Sequence, residues 1–435
     1  MLYRKIEKKL SEYYKNKDEK ILIINGARQI GKTFIIRETA KKTFKNYLEI
    51  NLNDDFIGDK IFENVKTIES FYLTVSSMKK LNNINDTIIF LDEIQVYPHL
   101  ISLLKPLKQD NKYRYICSGS LLGLTLRHSF IPMGSIEEIK MYPLDFEEFL
   151  IANDVSPNVI EYLQKCFVKQ SDVNMAVHQI ILSRFKQYLI YGGLPEVVNS
   201  IKDKNIIKTR TIQKQIYKFY LDDASKYEAN HSLKIRRIYE SLTSYMANKV
   251  KRIRFNKIED KQDINIREYE DEFDYLIHSG CCLSVNAVSN PVFPLNSSQS
   301  KNLIKLYYDD VGILSMLQFE NAVNPILNND YGINLGSLYE TAAIMELKAH
   351  HKDVFYFDSK KVGEVDFLIN DYSNLSILPI EIKSGNDQSN YRAIPKLVNQ
   401  NGPYKAKKGF VFCNSNTITE KDNLVTFPIY LIMFV

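Results

Sequence analysis

Residues 21–33 constrain the fold of this chain more than any other stretch. Four apolar and mostly β-branched residues begin at Ile21 and predict a strand that is buried on both faces. The strand leads directly into the pattern G-x-x-x-x-G-K-T between Gly26 and Thr33, and residues 34–40 continue as a predicted helix. In that order, the three pieces form a loop whose backbone N–H groups can surround a phosphate. The stretch therefore predicts binding of a nucleoside triphosphate.

The residue types of this loop suit ATP and Mg²⁺ as ligands. Glycine permits backbone angles that other residues avoid, which lets the loop curl around an anion. Lys32 is expected to reach the β- and γ-phosphates, and the Thr33 hydroxyl to complete the Mg²⁺ shell. The expected nucleotide-binding residues are Gly26, Ala27, Arg28, Gln29, Ile30, Gly31, Lys32, Thr33 and Asp92. The alternative is an ordinary glycine-rich turn before a helix.

Residues 87–95 predict the second half of the same site. They form an apolar strand that ends in Asp92 and Glu93, and ligands of parallel sheets bind at the carboxyl ends of strands. Asp92 is expected to hold Mg²⁺ and Glu93 to orient the attacking water. A glutamate beside the aspartate suits hydrolysis better than phosphate transfer to a small molecule, which disfavours a kinase.

A further central strand is predicted over residues 113–120, ending in small polar residues. In the additional-strand class of P-loop ATPases, such a strand lies between the strand that precedes the phosphate loop and the strand that ends in the paired carboxylates. It presents a polar sensor to the γ-phosphate. Ser118 or Ser120 can fill that role, with Ser120 taken as the catalytic candidate. The alternative is a plain turn at a strand end.

Composition sets the outer limits. A chain of 435 residues is long enough for several domains, and its 45% hydrophobic and 25% charged residues are ordinary for globular proteins. Five cysteines without a C-x-x-C pair argue against a disulfide framework or a zinc site. No apolar run reaches the ~20 residues of a membrane span, and no signal peptide is evident at the start. We therefore expect a cytoplasmic protein without a membrane partner, and a homo-oligomer is possible.

Five segments together resemble a family of bacterial and archaeal AAA-related ATPases with a C-terminal domain of unknown function. They are residues 26–33, 91–95, 118–120, 142–149 and 192–196. The resemblance implies an α/β chain with an AAA-type P-loop ATPase core at 1–150, a helical segment at 151–200, a winged-helix domain at 201–324 and a restriction-endonuclease-like α/β domain at 325–435. The chain has Met133-Gly134-Ser135 where relatives often carry an arginine, so Arg127 is the nearest candidate for the γ-phosphate arginine.

Residues 201–270 are basic, with 17 Lys or Arg against 10 Asp or Glu, in a chain of net charge +5. The density peaks at Lys249, Lys251, Arg252, Arg254 and Lys257. Such density fits phosphate contacts, and DNA is a more probable partner than RNA. A helix at 232–248, a short element near Ile258, a helix at 267–279 and strands at 281–285 and 305–310 fit a winged helix. The alternative is a solvated basic helix.

The C-terminal part carries a second set of catalytic candidates. Residues 335–348 predict a helix with Glu340, residues 354–369 a hairpin with Asp366, and residues 377–384 a strand with Glu381 and Lys383. Residues two apart on a strand share a face. The set resembles PD-(D/E)xK nucleases, in which Asp366 and Glu381 would bind a divalent metal for phosphodiester attack, with Lys383 and Glu340 beside them.

Two functions from different classes follow from these motifs. The first is an ATP-hydrolysing enzyme that acts on nucleic acid through a metal-dependent nuclease-like domain. The second is a nucleotide-dependent switch or adaptor whose nuclease-like domain is inactive and binds a partner. Metal-dependent cleavage would distinguish the first from the second.

Overall fold

The computed structural model describes residues 2–16, 20–80, 86–120, 134–224, 229–247, 269–328, 333–385, 391–404 and 406–435. The described chain divides into two compact units. Apart from the first two residues, the first unit contains Tyr3–Tyr142 and Phe273–Cys281, and the second contains Pro143–Glu272 and Cys282–Val435.

The first unit is built on a sheet of five parallel strands. The strands are β1 (Ile21–Asn25), β2 (Asn46–Asn51), β3 (Thr87–Asp92), β4 (Arg114–Gly119) and β5 (Ile136–Lys140). Their order in the sheet is β2-β3-β4-β1-β5. The expected position of β4 between the two motif strands is thereby confirmed. This order brings the carboxyl ends of β1, β3 and β4 side by side.

Helices connect successive strands from β1 to β4, as parallel pairing requires, and one further helix precedes β1. They are α1 (Ile6–Lys15), α2 (Lys32–Thr43), α3 (Leu52–Ile57), α4 (Ile68–Met78) and α5 (Pro98–Asp110), with a 3-10 turn at Ile94–Val96. Helix α4 is shorter than the helical spacing over residues 59–82 predicts. It begins after Thr67, whose side chain forms a capping box with Ser70 and so fixes the helix start.

The second unit has a helical part, which includes the helical segment predicted over residues 151–200 and the helices predicted at 232–248 and 335–348. Its helices are α6 (Phe146–Ala152), α7 (Pro157–Lys169), α8 (Met175–Tyr191), α9 (Pro195–Ser200), α10 (Ile206–Ala224), α11 (Ala229–Ala247), α13 (Val311–Phe319), α14 (Asn324–Asn328), α15 (Gly336–Ala349) and α16 (Ile394–Val398). Helix α12 (Glu270–His278) enters the first unit from Phe273 onward. None of the described helices is long and apolar enough to cross a membrane.

A mixed sheet of eight strands forms the rest of the second unit. Its strands are β6 (Cys282–Val288), β7 (Gln299–Tyr308), β8 (Val354–Ser359), β9 (Gly363–Asp371), β10 (Ser376–Ile382), β11 (Gly409–Cys413), β12 (Thr419–Lys421) and β13 (Leu424–Pro428). The order is β12-β13-β11-β10-β9-β8-β6-β7. The predicted hairpin of β8 and β9 and the strand β10 are confirmed.

The two strands expected as a wing belong to this same sheet, which corrects the sequence-based interpretation. Strand β6 pairs antiparallel with β7 and parallel with β8, where Asn286 is opposite Phe355. The choice of partner depends on side-chain packing between distant segments, which local sequence does not encode. The basic residues 249–257 and the element near Ile258 lie outside the described residues, so no winged helix is shown.

The two segments of residues 142–149 and 192–196 meet inside the second unit. The Leu144 N–H donates to the Gly193 carbonyl at 2.7 Å, and the Gly193 N–H donates to Asp310 at 2.6 Å. A Cβ on Gly192, whose φ is +72°, would lie 2.0 Å from the Asp310 carboxylate. A Cβ on Gly193 would lie 2.1 Å from the Leu144 carbonyl oxygen. The close approach of a buried carboxylate and of the Leu144 backbone therefore requires the glycine pair, which gives this motif a structural role.

Candidate functional site

The loop between β1 and α2 has the backbone geometry that phosphate binding requires. Gly31 has φ +91° and precedes the first residue of α2, and Gln29 has φ +65°. A Cβ on Gly26 would lie 2.3 Å from the Met141 carbonyl oxygen, so only glycine fits there. The start of α2 directs unpaired N–H groups toward the loop, where an anion is stabilised.

Lys32 lies inside this loop and is only 5% exposed. Its ammonium group donates to the carbonyl oxygens of Gly26 at 3.0 Å and Ala27 at 2.7 Å. Burial lowers the pKa of Lys32, and the nearby carboxylates of Glu93 and Asp92 oppose that shift. A buried ammonium held by neutral carbonyls gains strongly from an anion, so the loop fits the phosphates of a nucleotide.

Strand β3 places Asp92 opposite the start of α2. The Thr33 hydroxyl donates to the Asp92 carboxylate at 2.8 Å, and the Ser118 hydroxyl of β4 donates to its other oxygen. Burial raises the pKa of Asp92, while these two hydroxyls act in the opposite direction. Thr33 and Asp92 therefore lie together as the expected Mg²⁺ pair, with Ser118 beside them.

Glu93 follows Asp92 and lies in the left-handed region, with φ +57°. Its carboxylate accepts hydrogen bonds from the Ser120 hydroxyl at 3.1 Å and from the Gln95 amide. Arg28 of the loop donates to the same Ser120 hydroxyl at 3.3 Å. The Gln95 Oε1 atom is buried without a hydrogen-bond partner among the described residues. Glu93, Gln95 and Ser120 thus form a polar cluster at the strand ends, where a water can be held.

Three residues that support the loop are absent from the sequence-based site. The Arg4 guanidinium donates to the Ile30 carbonyl at 2.9 Å, and the Asn25 side chain accepts from the Gly26 N–H at 2.8 Å. Gly280, two residues after the end of α12, lies against Ala27, and a Cβ there would be 2.6 Å from the Ala27 nitrogen. No sequence signal links Arg4 or Gly280 to a loop so distant along the chain.

The second unit brings the C-terminal candidates together. The Lys383 ammonium donates to Glu381 Oε1 at 2.8 Å, and Asp366 Oδ2 accepts from the Ile382 N–H at 2.9 Å. Burial, followed by the charges of Glu381 and Glu340, raises the pKa of Asp366 well above its ordinary value. The pKa of Glu381 is also raised by burial, although Lys383 lowers it. Burial is the main cause of both raised pKa values, and neighbouring carboxylates add to it.

Glu340 reaches the same cluster from helix α15. It is 9% exposed and accepts from the Tyr307 hydroxyl of β7 at 3.3 Å. Strand β7 also contributes Lys305, a residue not predicted from the sequence, which is paired with Glu364 of β9. Lys305 was not predicted to be near these residues, because the sequence-based interpretation assigned β7 to the winged-helix domain.

Whether this cluster fits a divalent metal depends on its available oxygens. No group of three or more His, Cys, Asp or Glu side chains within the described ranges is arranged to hold a metal ion. Mg²⁺ is commonly bound by only one or two carboxylates, with waters and substrate phosphates completing the shell. Glu381 is 8% exposed, and its Oε2 atom has no partner among the residues that the structure describes. One carboxylate oxygen of Glu381 is therefore available to a cation, and a metal held here would need further ligands from water or from a bound molecule.

Of the catalytic, nucleotide-binding and metal-binding candidates, Arg127 lies outside the described residues, and all the others lie within them. Lys32, Thr33, Asp92, Glu93 and Ser120 converge at one edge of the parallel sheet. Glu340, Asp366, Glu381 and Lys383 converge on the mixed sheet of the second unit.

Comparison with known families divides the chain in three. Residues 18–150 match the model described as an AAA domain. Residues 182–323 match one domain of unknown function, DUF8612, and residues 335–432 match another, DUF4143. The chain thus contains an AAA-type P-loop domain, and this match supports ATP binding and hydrolysis. Neither a winged-helix nor a nuclease domain is identified by these matches.

Two solved structures are similar to the chain at low identity. A Walker-type ATPase of Pyrococcus abyssi is 15% identical, with 73% of this chain and 96% of that chain covered, at a TM-score of 0.44. PCH-2 of C. elegans is 11% identical, with 37% and 46% covered, at a TM-score of 0.22. No curated protein matches the chain.

Proposed function

We propose that this chain hydrolyses ATP with Mg²⁺ at the carboxyl ends of β1, β3 and β4. The observation that carries the proposal is the convergence of Lys32, Thr33, Asp92 and Glu93, which come from two segments about 60 residues apart. Mg²⁺, when bound, neutralises charge on the β- and γ-phosphates. The residues of the chain then bind the nucleotide, orient the water and hold its proton.

The present contacts of these residues suggest how each one acts. Lys32 must release the Gly26 and Ala27 carbonyls to reach a phosphate. Thr33 and Asp92 are hydrogen-bonded to each other, so both side chains would be in place to hold Mg²⁺. Glu93 is restrained by Gln95 and Ser120, which fixes its carboxylate for a water molecule.

Two substitutions divide binding from hydrolysis. Lys32→Ala removes the buried cation of the loop and is expected to abolish ATP binding. Glu93→Gln keeps the size of the side chain but removes the carboxylate that orients the water. The variant is therefore expected to bind ATP and to hydrolyse it at least about 100-fold more slowly. Binding of a fluorescent ATP analogue and phosphate release measure the two effects separately. Equal loss of binding in both variants would contradict this division.

For the second unit we propose metal-dependent action on nucleic acid, with DNA as the favoured substrate. Asp366 and Glu381 would bind the ion, and it would supply a hydroxide for attack on a phosphodiester. Lys383 and Glu340 would position the substrate and the water. Support comes from the unpartnered Glu381 Oε2 and the raised pKa values of both carboxyl groups.

A cleavage assay tests this second proposal. Several DNA and RNA forms are incubated with Mg²⁺ or Mn²⁺, with and without ATP. Asp366→Ala is expected to abolish cleavage and leave ATP hydrolysis intact, because Asp366 lies in the other unit. Cleavage that persists in Asp366→Ala would exclude this site as its source.

The alternative function is a nucleotide-dependent switch or adaptor with an inactive C-terminal site. One observation favours it: Lys383 and Lys305 already form ion pairs with Glu381 and Glu364, which offsets part of the charge a metal needs. Under this alternative, a nucleotide-dependent complex with a partner forms without metal-dependent cleavage. Assembly as a homo-oligomer is compatible with either function, and light scattering with and without ATP tests it.

A further inference from the structure

Gln95 is a side chain of the nucleotide site that the proposed mechanism uses only to restrain Glu93. It lies in the 3-10 turn Ile94–Val96, directly after β3. The Val96 N–H closes this turn by donating to the Glu93 carbonyl at 3.1 Å. The turn therefore keeps Gln95 beside Glu93 at the carboxyl end of the strand, where ligands of parallel sheets bind.

The contacts of the Gln95 amide fix its orientation. The Nε2 atom donates to Glu93 Oε2 at 2.5 Å and to the Ser120 hydroxyl at 3.3 Å. An amide nitrogen carries two hydrogens, so these two bonds use both of them. The reverse orientation would place the amide oxygen against a carboxylate, and neither group could donate. The amide oxygen, Oε1, is therefore the atom that these contacts leave over.

Ser120 cannot supply the hydrogen that this oxygen needs. Its only hydroxyl hydrogen goes to Glu93 Oε2 at 3.1 Å, and its oxygen accepts from Gln95 and from Arg28 Nε, each at 3.3 Å. Gln95 Oε1 is buried and has no hydrogen-bond partner within the part of the chain that the structure describes. A buried acceptor without a donor costs free energy, so this atom indicates a ligand that brings its own hydrogen.

A water molecule suits Gln95 and Glu93 at the same time. Oε1 and Nε2 of Gln95 belong to one planar amide, so Oε1 lies beside the Glu93 carboxylate that Nε2 contacts. One water can donate one of its two hydrogens to each of these acceptors. Its lone pairs are then left for the phosphorus atom of a bound nucleotide.

We propose that Gln95 is a catalytic residue of ATP hydrolysis, whose Oε1 atom accepts one hydrogen of the attacking water while Glu93 accepts the other. This inference rests on the proposed hydrolysis of ATP at this site. The water oxygen forms a bond to the γ-phosphorus, and the bond from that phosphorus to the bridging oxygen breaks, leaving its electron pair on ADP. One proton of the water moves to Glu93, and the hydrogen held by Gln95 stays on the phosphate product.

Single-turnover hydrolysis of ATP by the full chain tests this role in two backgrounds. In the unaltered chain, Gln95→Met is expected to slow hydrolysis at least about tenfold with unchanged ATP affinity, because the water loses one hydrogen bond. In Glu93→Ala no carboxylate is left to restrain, and slow hydrolysis continues because Lys32 still stabilises the phosphates. Direct contact with the water predicts that Gln95→Met lowers this residual rate by about tenfold again.

Gln95→Glu provides the rescue, and Gln109→Met provides the matched control. In the Glu93→Ala background, Gln95→Glu keeps an acceptor without a second carboxylate to repel it, so it is expected to preserve the residual rate. Gln109 is exposed near the end of α5, and its replacement is expected to leave both rates unchanged. Gln95→Leu replaces Gln95→Met if the latter does not fold, with the same expectation.

The outcomes separate direct contact with the water from restraint of Glu93. Equal residual rates in Glu93→Ala with and without Gln95→Met overturn the inference, because Gln95 would then act only through Glu93. An equal fall in Gln95→Met and Gln95→Glu also overturns it, because an acceptor would then make no difference. A residual rate that falls in Gln95→Met and is preserved in Gln95→Glu supports it. Absence of ATP hydrolysis by the unaltered chain overturns the proposed function and this inference together.

Discussion

At the scale of single residues, Gly280 makes the least expected contact in the first unit. It has φ +83°, and its Cα faces Ala27 so closely that a Cβ would lie 2.6 Å from the Ala27 nitrogen. Ala27 also supplies one of the two carbonyls that hold Lys32. Gly280 thus supports the part of the loop that restrains the phosphate-binding lysine.

Gly280→Ala is therefore expected to displace the loop and lower ATP affinity about tenfold, the equivalent of ~1.4 kcal/mol. Gly134→Ala is the matched control, because Gly134 has φ +86° but nothing within 4 Å of an added Cβ. Both substitutions carry the cost of a left-handed alanine, and only the first contacts the loop. Titration of a fluorescent ATP analogue measures the difference. Equal affinities in the two variants would show that the contact is unimportant.

The residues of the nucleotide site could be predicted because they are close in sequence to the strands that position them. Lys32 and Thr33 follow β1 directly, and Asp92 and Glu93 terminate β3. Gln95 is close to this motif in sequence, but its role in holding Glu93 could not be predicted without the hydrogen bond that the structure shows. Gly280 and Lys305 had no such local pattern, since their partners lie far away along the chain.

At the scale of elements, the junction around Asp310 explains why a glycine pair ends α8. Asp310 is fully buried, and its carboxylate accepts from the Gly193 and Ile313 N–H groups. Burial raises the pKa of Asp310 from 3.8 to about 6, although these N–H groups lower it. The ionised form is therefore less stable here than in the unfolded chain.

Because the folded pKa is the higher one, the contribution of Asp310 to stability is complete below about pH 4 and is lost as pH rises through about 6. Asp310→Asn removes this dependence. Relative to the unaltered chain, the variant is expected to gain about 2 kcal/mol between pH 4 and pH 7. Urea unfolding of both proteins across that range measures the change. A difference that stays constant with pH would contradict the buried-carboxylate explanation.

The position of a helix or strand was predicted well where its own residues show the apolar periodicity. Which strands pair with each other was predicted poorly. The three strands predicted for the first sheet are present, and β4 lies between the two motif strands as predicted. Strands β6 and β7 were located correctly near 281–285 and 305–310 but assigned to a wing. The pairing of β6 with β8 crosses about 70 residues of sequence, and no turn signal specifies it.

At the scale of the whole molecule, the charge distribution predicts how nucleic acid binding responds to salt. The basic residues are concentrated between 201 and 270, in a chain with a net charge of only +5. If they contact phosphates, log affinity for DNA falls linearly with log salt concentration through counterion release. Reversing the charges of Lys249, Lys251, Arg252 and Arg254 is expected to reduce that slope by up to about 0.9 per lost contact.

The control reverses four exposed lysines of the first unit, Lys42, Lys45, Lys66 and Lys80. This change alters the net charge equally and is expected to leave the slope nearly unchanged. Fluorescence anisotropy with labelled DNA at several salt concentrations gives both slopes. A salt-insensitive affinity, or equal slopes in the two variants, would favour a solvated basic surface.

The contact between Gly280 and Ala27 also has a consequence for the order in which the protein matures during synthesis. The two residues are 253 positions apart. At about 5–20 residues per second, the ribosome needs at least about ten seconds to make the intervening chain. The phosphate loop emerges early, but its support from residue 280 arrives only when more than half of the protein has been translated. Because the support from Gly280 is expected to raise ATP affinity, full affinity is expected only after residue 280 has been made.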